Sequence, residues 1–360
     1  MNKSILLLIL VLIPISIIFA SDGRLHLVHA DKTSGKMINN ERIHVWKGSV
    51  DAYQDTVTML CDSALFYENR DKVDFIGNVI IDDGHHKLWA NIINYRTDLR
   101  VATCIGNVRI SGEKDSLYAD KFIYNFKDKS ANGKGNVYIL DKDEGSKLWG
   151  DQGYYLNDKK ESHIKGNAKL FKPNNQDTLI ITSKVMEYYG VVPKKAIATD
   201  SVRIFKNNLR AKCDSAFYSI TDEMVFLRLN PFAWQDENKM SGTDIDLRLD
   251  SLKLKEIIIT GKSKVETLAD SFINQFNLLR GKSIQVQIEN DQPIKVIARN
   301  NASSIFLIEE EKEKQGTNAA SSDSITIFFK EGKPDSINIA GGSEGTFYPP
   351  DYKGEFKSEH

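Results

Sequence analysis

The chain has 360 residues, 48 basic against 49 acidic, with 41% hydrophobic and 9% aromatic side chains. That balance leaves no net positive field to offset phosphate repulsion, which excludes the strongest case for a nucleic-acid binder. Eight prolines and 23 glycines exclude a collagen-like or broadly disordered chain, and three cysteines, an odd number, make no disulfide framework.

The first 20 residues stand apart. Lys3 supplies a short positive region, and Ile5 to Phe19 is an apolar run of fifteen. A bilayer-spanning helix needs ~20 residues. Ala20 and Ser21 offer a small-residue cleavage point, although Ile18 is a poor residue two positions before Ala20. Residues 1–20 therefore read as a secretory signal peptide, with an uncleaved N-terminal anchor as the alternative. No cysteine lies nearby, which excludes a lipoprotein anchor. The expectation is an exported chain that works without ATP and outside a reducing cytosol.

After the leader the chain repeats itself. Gly77-Asn78-Val79 recurs as Gly106-Asn107-Val108, Gly135-Asn136-Val137 and Gly166-Asn167-Ala168, at intervals of 29, 29 and 31 residues. Weaker copies are Gly48-Ser49-Val50, Asp200-Ser201-Val202 and Asn230-Pro231-Phe232. A second marker keeps step: a small residue, then Asp or Asn, with an aromatic five positions after the small residue. It reads Cys61-Asp62…Phe66, Ala90-Asn91…Tyr95, Ala119-Asp120…Tyr124 and Gly150-Asp151…Tyr155, each time 16 positions before the glycine of the triplet. Looser copies are Ser183-Lys184…Tyr188 and Cys213-Asp214…Tyr218. Later ones, near Gly242, Gly281 and Ser322, carry Leu247, Val286 and Ile327 in place of the aromatic, and an upstream copy starts at Ala30-Asp31. About ten units of ~30 residues cover nearly all of the exported chain.

Each unit reads as two short strands. Alternation of period two puts Ile93 with Tyr95, Phe122 with Tyr124 and Met186 with Tyr188 on one buried face. The second strands supply Val79 with Ile81, Val108 with Ile110, Val137 with Ile139, and Val202 with Ile204. Polar links such as 69–72 and 127–130 separate the strands. The one helical candidate is Ala269 to Leu279, an insertion, and the charged run Glu309 to Lys314 with the stretch to Ser322 reads as a solvated loop. The predicted fold is all-β: an elongated stack of antiparallel strand pairs, a β solenoid or jelly roll in which each unit buries its face only against its neighbours. The expected division is 1–20 leader, 21–347 repeat body and 348–360 tail, with the insertion offering a split of the body into 21–268 and 269–347. At ~4.8 Å per stacked unit, the body is expected to be roughly 45 Å long.

The leader followed by Val28-His29-Ala30-Asp31, the small-Asp…Tyr strand and the Gly-Asn-Val strand resemble the OstA-like family, the LptA-type proteins and the N-terminal domain of LptD. The stretch Phe276 to Lys282 and the ending Gly345 to Pro350 are similar to longer Bacteroidetes members. The resemblance implies a slightly twisted β jelly roll with a lengthwise apolar groove, in a non-enzymatic periplasmic protein that shields lipopolysaccharide acyl chains. It implies lipopolysaccharide-transport partners, an inner-membrane anchor and an outer-membrane LptD-like translocon, and head-to-tail self-association. No cofactor, metal or nucleic acid belongs to it. The chain is longer than a simple bridge subunit and lacks the C-terminal membrane barrel of LptD.

The candidate groove lining is Phe66, Val79, Ile81, Ile93, Tyr95, Val108, Ile110, Phe122, Tyr124, Val137, Ile139, Tyr155, Met186, Tyr188, Val202 and Ile204. Aliphatic and aromatic walls suit acyl chains, whose burial is worth ~0.8 kcal/mol per methylene. A closed core that binds nothing, in a structural or adhesive scaffold, satisfies the same periodicity. The carboxylates at Asp62, Asp120, Asp151 and Asp214, with Asn91 in series, read either as the ladder of a polysaccharide-active enzyme or as corner residues bonded to nearby backbone. The corner reading is favoured, because Lys184 interrupts the series. Gly341-Gly342-Ser343-Glu344-Gly345 has the spacing of a nucleophile elbow, but the next residues, Thr346-Phe347-Tyr348-Pro349-Pro350, cannot start the required helix. The seven histidines show no metal-ligand spacing, and His85-His86 reads as part of a polar turn. The cysteines read as three small buried thiols, with Cys61 and Cys213 expected about 24 Å apart from the stacking distance and Cys104 the only conceivable partner for Cys61.

Overall fold

A computed structural model describes residues 23–38, 40–156, 159–174, 177–270, 275–310 and 313–357. The leader lies outside the described residues. Two edge strands, β1 (Leu25–His29) and β2 (Lys32–Ile38), pair with opposite halves of β3 (Glu41–Gln54). An unbroken antiparallel meander continues from there: β4 (Val57–Tyr67), β5 (Lys72–Asp82), β6 (Lys87–Arg96), β7 (Val101–Ser111), β8 (Asp115–Asn125), β9 (Ser130–Asp141), β10 (Lys147–Leu156), β11 (Glu161–Asn174), β12 (Asp177–Tyr189), β13 (Lys195–Lys206) and β14 (Leu209–Ser219). The halves of β14 then pair with two separate strands, β15 (Met224–Arg228) and β16 (Phe232–Gln235). β17 (Asn238–Ser241) and β18 (Asp244–Asp250) continue these and rejoin on β19 (Lys253–Asp270). β20 (Gln275–Glu289), β21 (Gln292–Glu310) and β22 (Glu313–Lys330) lengthen the stack, which ends in β23 (Lys333–Ala340) and β24 (Glu344–Tyr348), again on opposite halves of one strand.

This splitting at β3, β14, β19 and β22 reveals the architecture. Each long strand is one polypeptide run folded across a corner, so its first half lies in one leaf and its second half in the other. The corner is the repeated triplet. Among the described residues, ten places put two consecutive residues in the left-handed region at a corner, eight at mid-strand from Gly48-Ser49 to Asn300-Asn301, and two, Leu229-Asn230 and Gly341-Gly342, between half-strands. Backbone pairing breaks register there and resumes on the far side, as between Leu60/Ser63 and Ile76/Val79. Glycine followed by asparagine suits this because both tolerate a positive φ that costs other residues ~1–2 kcal/mol. The all-β jelly-roll expectation and the ten-unit count hold.

Several expectations are corrected. The strands are long and bent, mostly ten to fourteen residues in the meander. The helical candidate at Ala269 to Leu279 falls on β19 and β20, whose pairing runs from Glu256↔Gln287 through Leu268↔Phe276; residues 271–274 lie outside the described residues. The expected loop after Glu309 belongs to the β21–β22 hairpin, with Leu307↔Thr317 and Ser303↔Ser321 in register. In both segments strand pairing continues on either side of the residues that lie outside the description. Because each unit contributes two strands to the same ladder, the stack advances twice per unit. Twenty layers at ~4.8 Å give a body of roughly 90 Å, and Cys61 and Cys213 are correspondingly further apart than the single-step estimate.

Candidate functional site

The corner is built the same way in unit after unit. Asn78 donates to Asp62 Oδ2 at 2.9 Å, Asn136 to Asp120 at 3.0 Å and Asn167 to Asp151 at 3.0 Å, while Asn107 reaches Asn91 at 3.4 Å. The amides of Asp31, Asp214 and Asp323 donate to the carbonyls of Gly48, Leu229 and Gly341. Lys184 does not break the series. It exchanges roles, donating to Asp200 on the neighbouring strand at 2.7 Å. The acidic ladder is thus a spine at the corner, but its side chains bond side chains of the neighbouring strand rather than nearby backbone as expected. Gly341 to Gly345 is part of that spine and of an exposed strand connection, between β23 and β24.

Between the leaves lies one continuous apolar interior. On the leaf that holds the second halves of β5, β7, β9, β11 and β13 and the first halves of the strands between them, backbone partners form a ladder: Ile81, Leu88, Ile110, Leu117, Ile139, Leu148, Leu170, Ile181, Ile204 and Ala211. On the other leaf, next to the spine, runs Phe75, Ile93, Cys104, Phe122, Gly133, Gly153, Ile164, Met186 and Ala198. Nearer the open side runs Tyr95, Ala102, Tyr124, Ala131, Tyr155, Ser162, Tyr188, Ala196 and Tyr218. The candidate lining residues fall on these inward-facing ladders or beside the spine.

Burial along these ladders is uneven. Ile81, Leu88, Ile110 and Leu117 are at most 2% exposed, and so are Ile93, Tyr95, Phe122 and Tyr124. At mid-body the interior opens. Ile139, Leu148, Leu170, Leu179 and Ile181 are half-buried, as is Tyr155, and Tyr188 is 38% exposed. The spine side stays packed there, with Val137, Ile164, Ala168 and Val202 buried. Gly133 and Gly153 stand in the row that carries Phe75 and Phe122 elsewhere, and Phe122, Val137 and Ile164 fill the space beside them. The interior closes again beyond β14, where Leu227, Met240, Ile245, Ile257 and Ile259 are buried.

Polar contacts across the open side share the same division. Tyr95 donates to Gln54 Oε1 at 2.6 Å and Tyr155 to Asp115 Oδ2 at 2.7 Å, while the Tyr124 hydroxyl lies 3.4 Å from His86 Nδ1 and 3.5 Å from Asp83. Phe126 packs edge-on against Tyr95 and Tyr124. Burial pushes all three phenols well above the ordinary tyrosine range, with Asp115 adding to the rise at Tyr155. His86 is buried in this seam, so its turn is polar but the histidine is a structural contact, a role the sequence did not reveal. Among the described residues no cluster of His, Cys, Asp and Glu could hold a metal ion, and no helix is long and apolar enough to cross a membrane. All three cysteines are free and buried; burial pushes Cys104 up to about 12 and Cys61 and Cys213 up to about 11.

Residues 22–176 match the family model described as OstA-like protein. This stretch is OstA-like. The OstA-like match stops short of half the chain, but the same corner and the same inward ladders continue past it to Asp323 and Gly341. Among solved structures, the chain is similar to LptH of Pseudomonas aeruginosa, described as the LptA-homologous periplasmic component of a lipopolysaccharide transport device. Identity is 15%, the match covers 39% of this chain and 95% of that one, and the TM-score is 0.31. No curated protein sequence matches.

Sequence reasoning missed one further feature. On the outer face of the leaf that carries Ile81 and Leu88, Trp89, Arg109, Tyr118, Tyr138, Trp149 and Lys169 stand on successive strands. Tyr138 lies 5.5 Å from Tyr118 and 5.4 Å from Trp149, and cations cap the rings: Arg109 over Trp89 and Tyr118, Lys169 over Trp149. Ring faces turned on one another stiffen the outer sheet.

Proposed function

We propose that this chain, an OstA-like protein of the lipopolysaccharide-transport type, is a non-enzymatic periplasmic carrier whose interior shields lipopolysaccharide acyl chains on their way to the outer membrane. The observation that carries the reading is the partly buried apolar ladder Ile139, Leu148, Leu170 and Ile181, with Tyr188 on the other leaf 38% exposed. Four strands at ~4.8 Å span roughly 15–20 Å, a length suited to an extended acyl chain. Each methylene buried there contributes ~0.8 kcal/mol, so a few chains bind firmly without a fixed polar partner. Near-neutral net charge suits a ligand contact that is mainly apolar.

Partners on this reading are the inner-membrane and outer-membrane components of the same transport route. Head-to-tail strand addition is supported by the last strand, where inward-facing Ile337 and Ile339 are 43% and 37% exposed on an unpaired edge. A photo-crosslinker placed at Ile139 or Ile181 is expected to label lipopolysaccharide in cells, while one at outward-facing Lys169 is not. Labelling from Lys169 without labelling from the inward pair would refute the carrier reading.

A further inference from the structure

We propose that the phenol row Tyr95, Tyr124 and Tyr155 locks the seam between the two leaves, and that ligand occupies the interior only beyond this lock, between Tyr155 and Tyr218. The inference rests on the carrier reading for its ligand but not for the lock itself. Each locked phenol stands on the open side of one leaf and reaches a residue about 40 positions earlier in sequence, at the hairpin end of the other leaf: Gln54, then the Asp83–His86 turn, then Asp115. Gln54 is itself held by the carbonyls of Gly23 and Thr97. The second oxygen of Asp115 is buried with no partner, so Tyr155 is the contact that compensates that carboxylate's burial.

The next two phenols in the row, Tyr188 and Tyr218, make no hydrogen bond among the described residues. Burial raises both phenols, with Glu144 and Asp141 adding to the rise at Tyr188 and Glu223 and Glu144 at Tyr218, so nearby carboxylates raise rather than anchor them. The change from bonded to unbonded phenols falls where the facing ladder changes from buried Ile110 and Leu117 to half-exposed Ile139 and Leu148. Two independent observations, hydroxyl pairing and ladder exposure, therefore mark the same boundary. It separates sealed inward residues such as Ile81, Ile110 and Phe122 from partly exposed ones beyond the lock, Ile139 and Tyr188, while Val137 and Val202 stay packed at the spine.

The chain carries its own reporter. Cys104 lies in the sealed interior between Ile93 and Phe122, whereas Cys61 and Cys213 lie at the spine. In the full-length protein, maleimide labelling at neutral pH is followed at each thiol by mass spectrometry, with Tyr124→Phe and Tyr155→Phe introduced singly and together. The lock predicts that the double variant accelerates Cys104 labelling roughly tenfold, as expected for loss of buried hydrogen bonds, with Cys61 and Cys213 little changed. Unchanged Cys104, or equal acceleration of all three thiols, overturns it. A second arm places a photo-crosslinker at Leu117 or at Ile181 and supplies lipopolysaccharide. Labelling at Ile181 alone in the parent, extending to Leu117 in the double variant, is expected; equal labelling of both in the parent contradicts the lock. Labelling at neither position, with the Cys104 result intact, removes the lipid reading and leaves the seam lock standing.

Discussion

Replacing Gly135 by alanine tests the corner on which the fold depends. Gly135 sits at φ +75°, and a Cβ added there would come 2.9 Å from Asp120 Cγ and closer still to its Oδ2. The left-handed backbone alone costs alanine about 1–1.5 kcal/mol. Asp120 must also swing away and lose its hydrogen bond from Asn136, worth a further ~0.5–1 kcal/mol at this exposed site, with residual crowding on top. Gly135→Ala is therefore expected to cost about 2–3 kcal/mol, and Asp120→Ala alone ~0.5–1 kcal/mol. In the double variant the collision is gone and the hydrogen bond is counted once, so the total is ~2 kcal/mol, below the sum by about 1 kcal/mol. Stacked repeats unfold in parts, so the assay is hydrogen exchange in β8 and β9 rather than a single global midpoint. Gly106→Ala should be milder, because Asn91 stands further back, its nearest atom at 2.8 Å. A coupling near zero between positions 135 and 120 would refute the argument that the aspartate fills the space a side chain needs.

Ile110→Ala should destabilise the chain by about 2–4 kcal/mol, because it leaves a cavity in a sealed interior, whereas Ile181→Ala at the open mouth should cost about 1 kcal/mol; local exchange rates compare them, and equal costs would contradict the division. Stability should also fall as pH rises. Burial lifts Cys104 from 9.0 to about 12, so above pH ~9 the unfolded chain loses a proton that the folded chain keeps, and the favourable term disappears as pH approaches 12. Tyr95, Tyr124 and Tyr155 act with the same sign. Exchange-derived stability measured at pH 8 and pH 10.5 should show the decline, partly relieved by Cys104→Ala, and a flat profile would refute it.

Much of the fold was legible because the corner imposes a chemical demand that recurs. Two left-handed residues in succession select Gly-Asn, and the strand opposite selects a small residue followed by a carboxylate or amide, so both markers surface at constant phase. The inward residues followed from period two. What the sequence hid is long-range: a hydroxyl bond between Tyr155 and Asp115 spans 40 positions, and nothing local distinguishes Tyr155 from Tyr188. The partial exposure of Ile139, Leu148, Leu170 and Ile181 is likewise hidden, because their period-two pattern is the same as that of buried Ile110 and Leu117. The doubled length was hidden for another reason: repeat counting registers units, while the ladder registers strands. The charged run Glu309 to Lys314 carries no apolar alternation and reads as a loop, whereas the chain on either side of it pairs as the β21–β22 hairpin.

The carrier account is tested most directly by the lipid that accompanies the protein when the full-length chain is purified from a lipopolysaccharide-bearing host without detergent. Mass spectrometry is expected to find lipid A with the parent protein and to find it strongly depleted when Ile139 and Ile181 are both changed to aspartate, with thiol labelling of Cys104 unchanged. Parent protein free of lipid A, or lipid A equally abundant on the aspartate variant, would contradict the account.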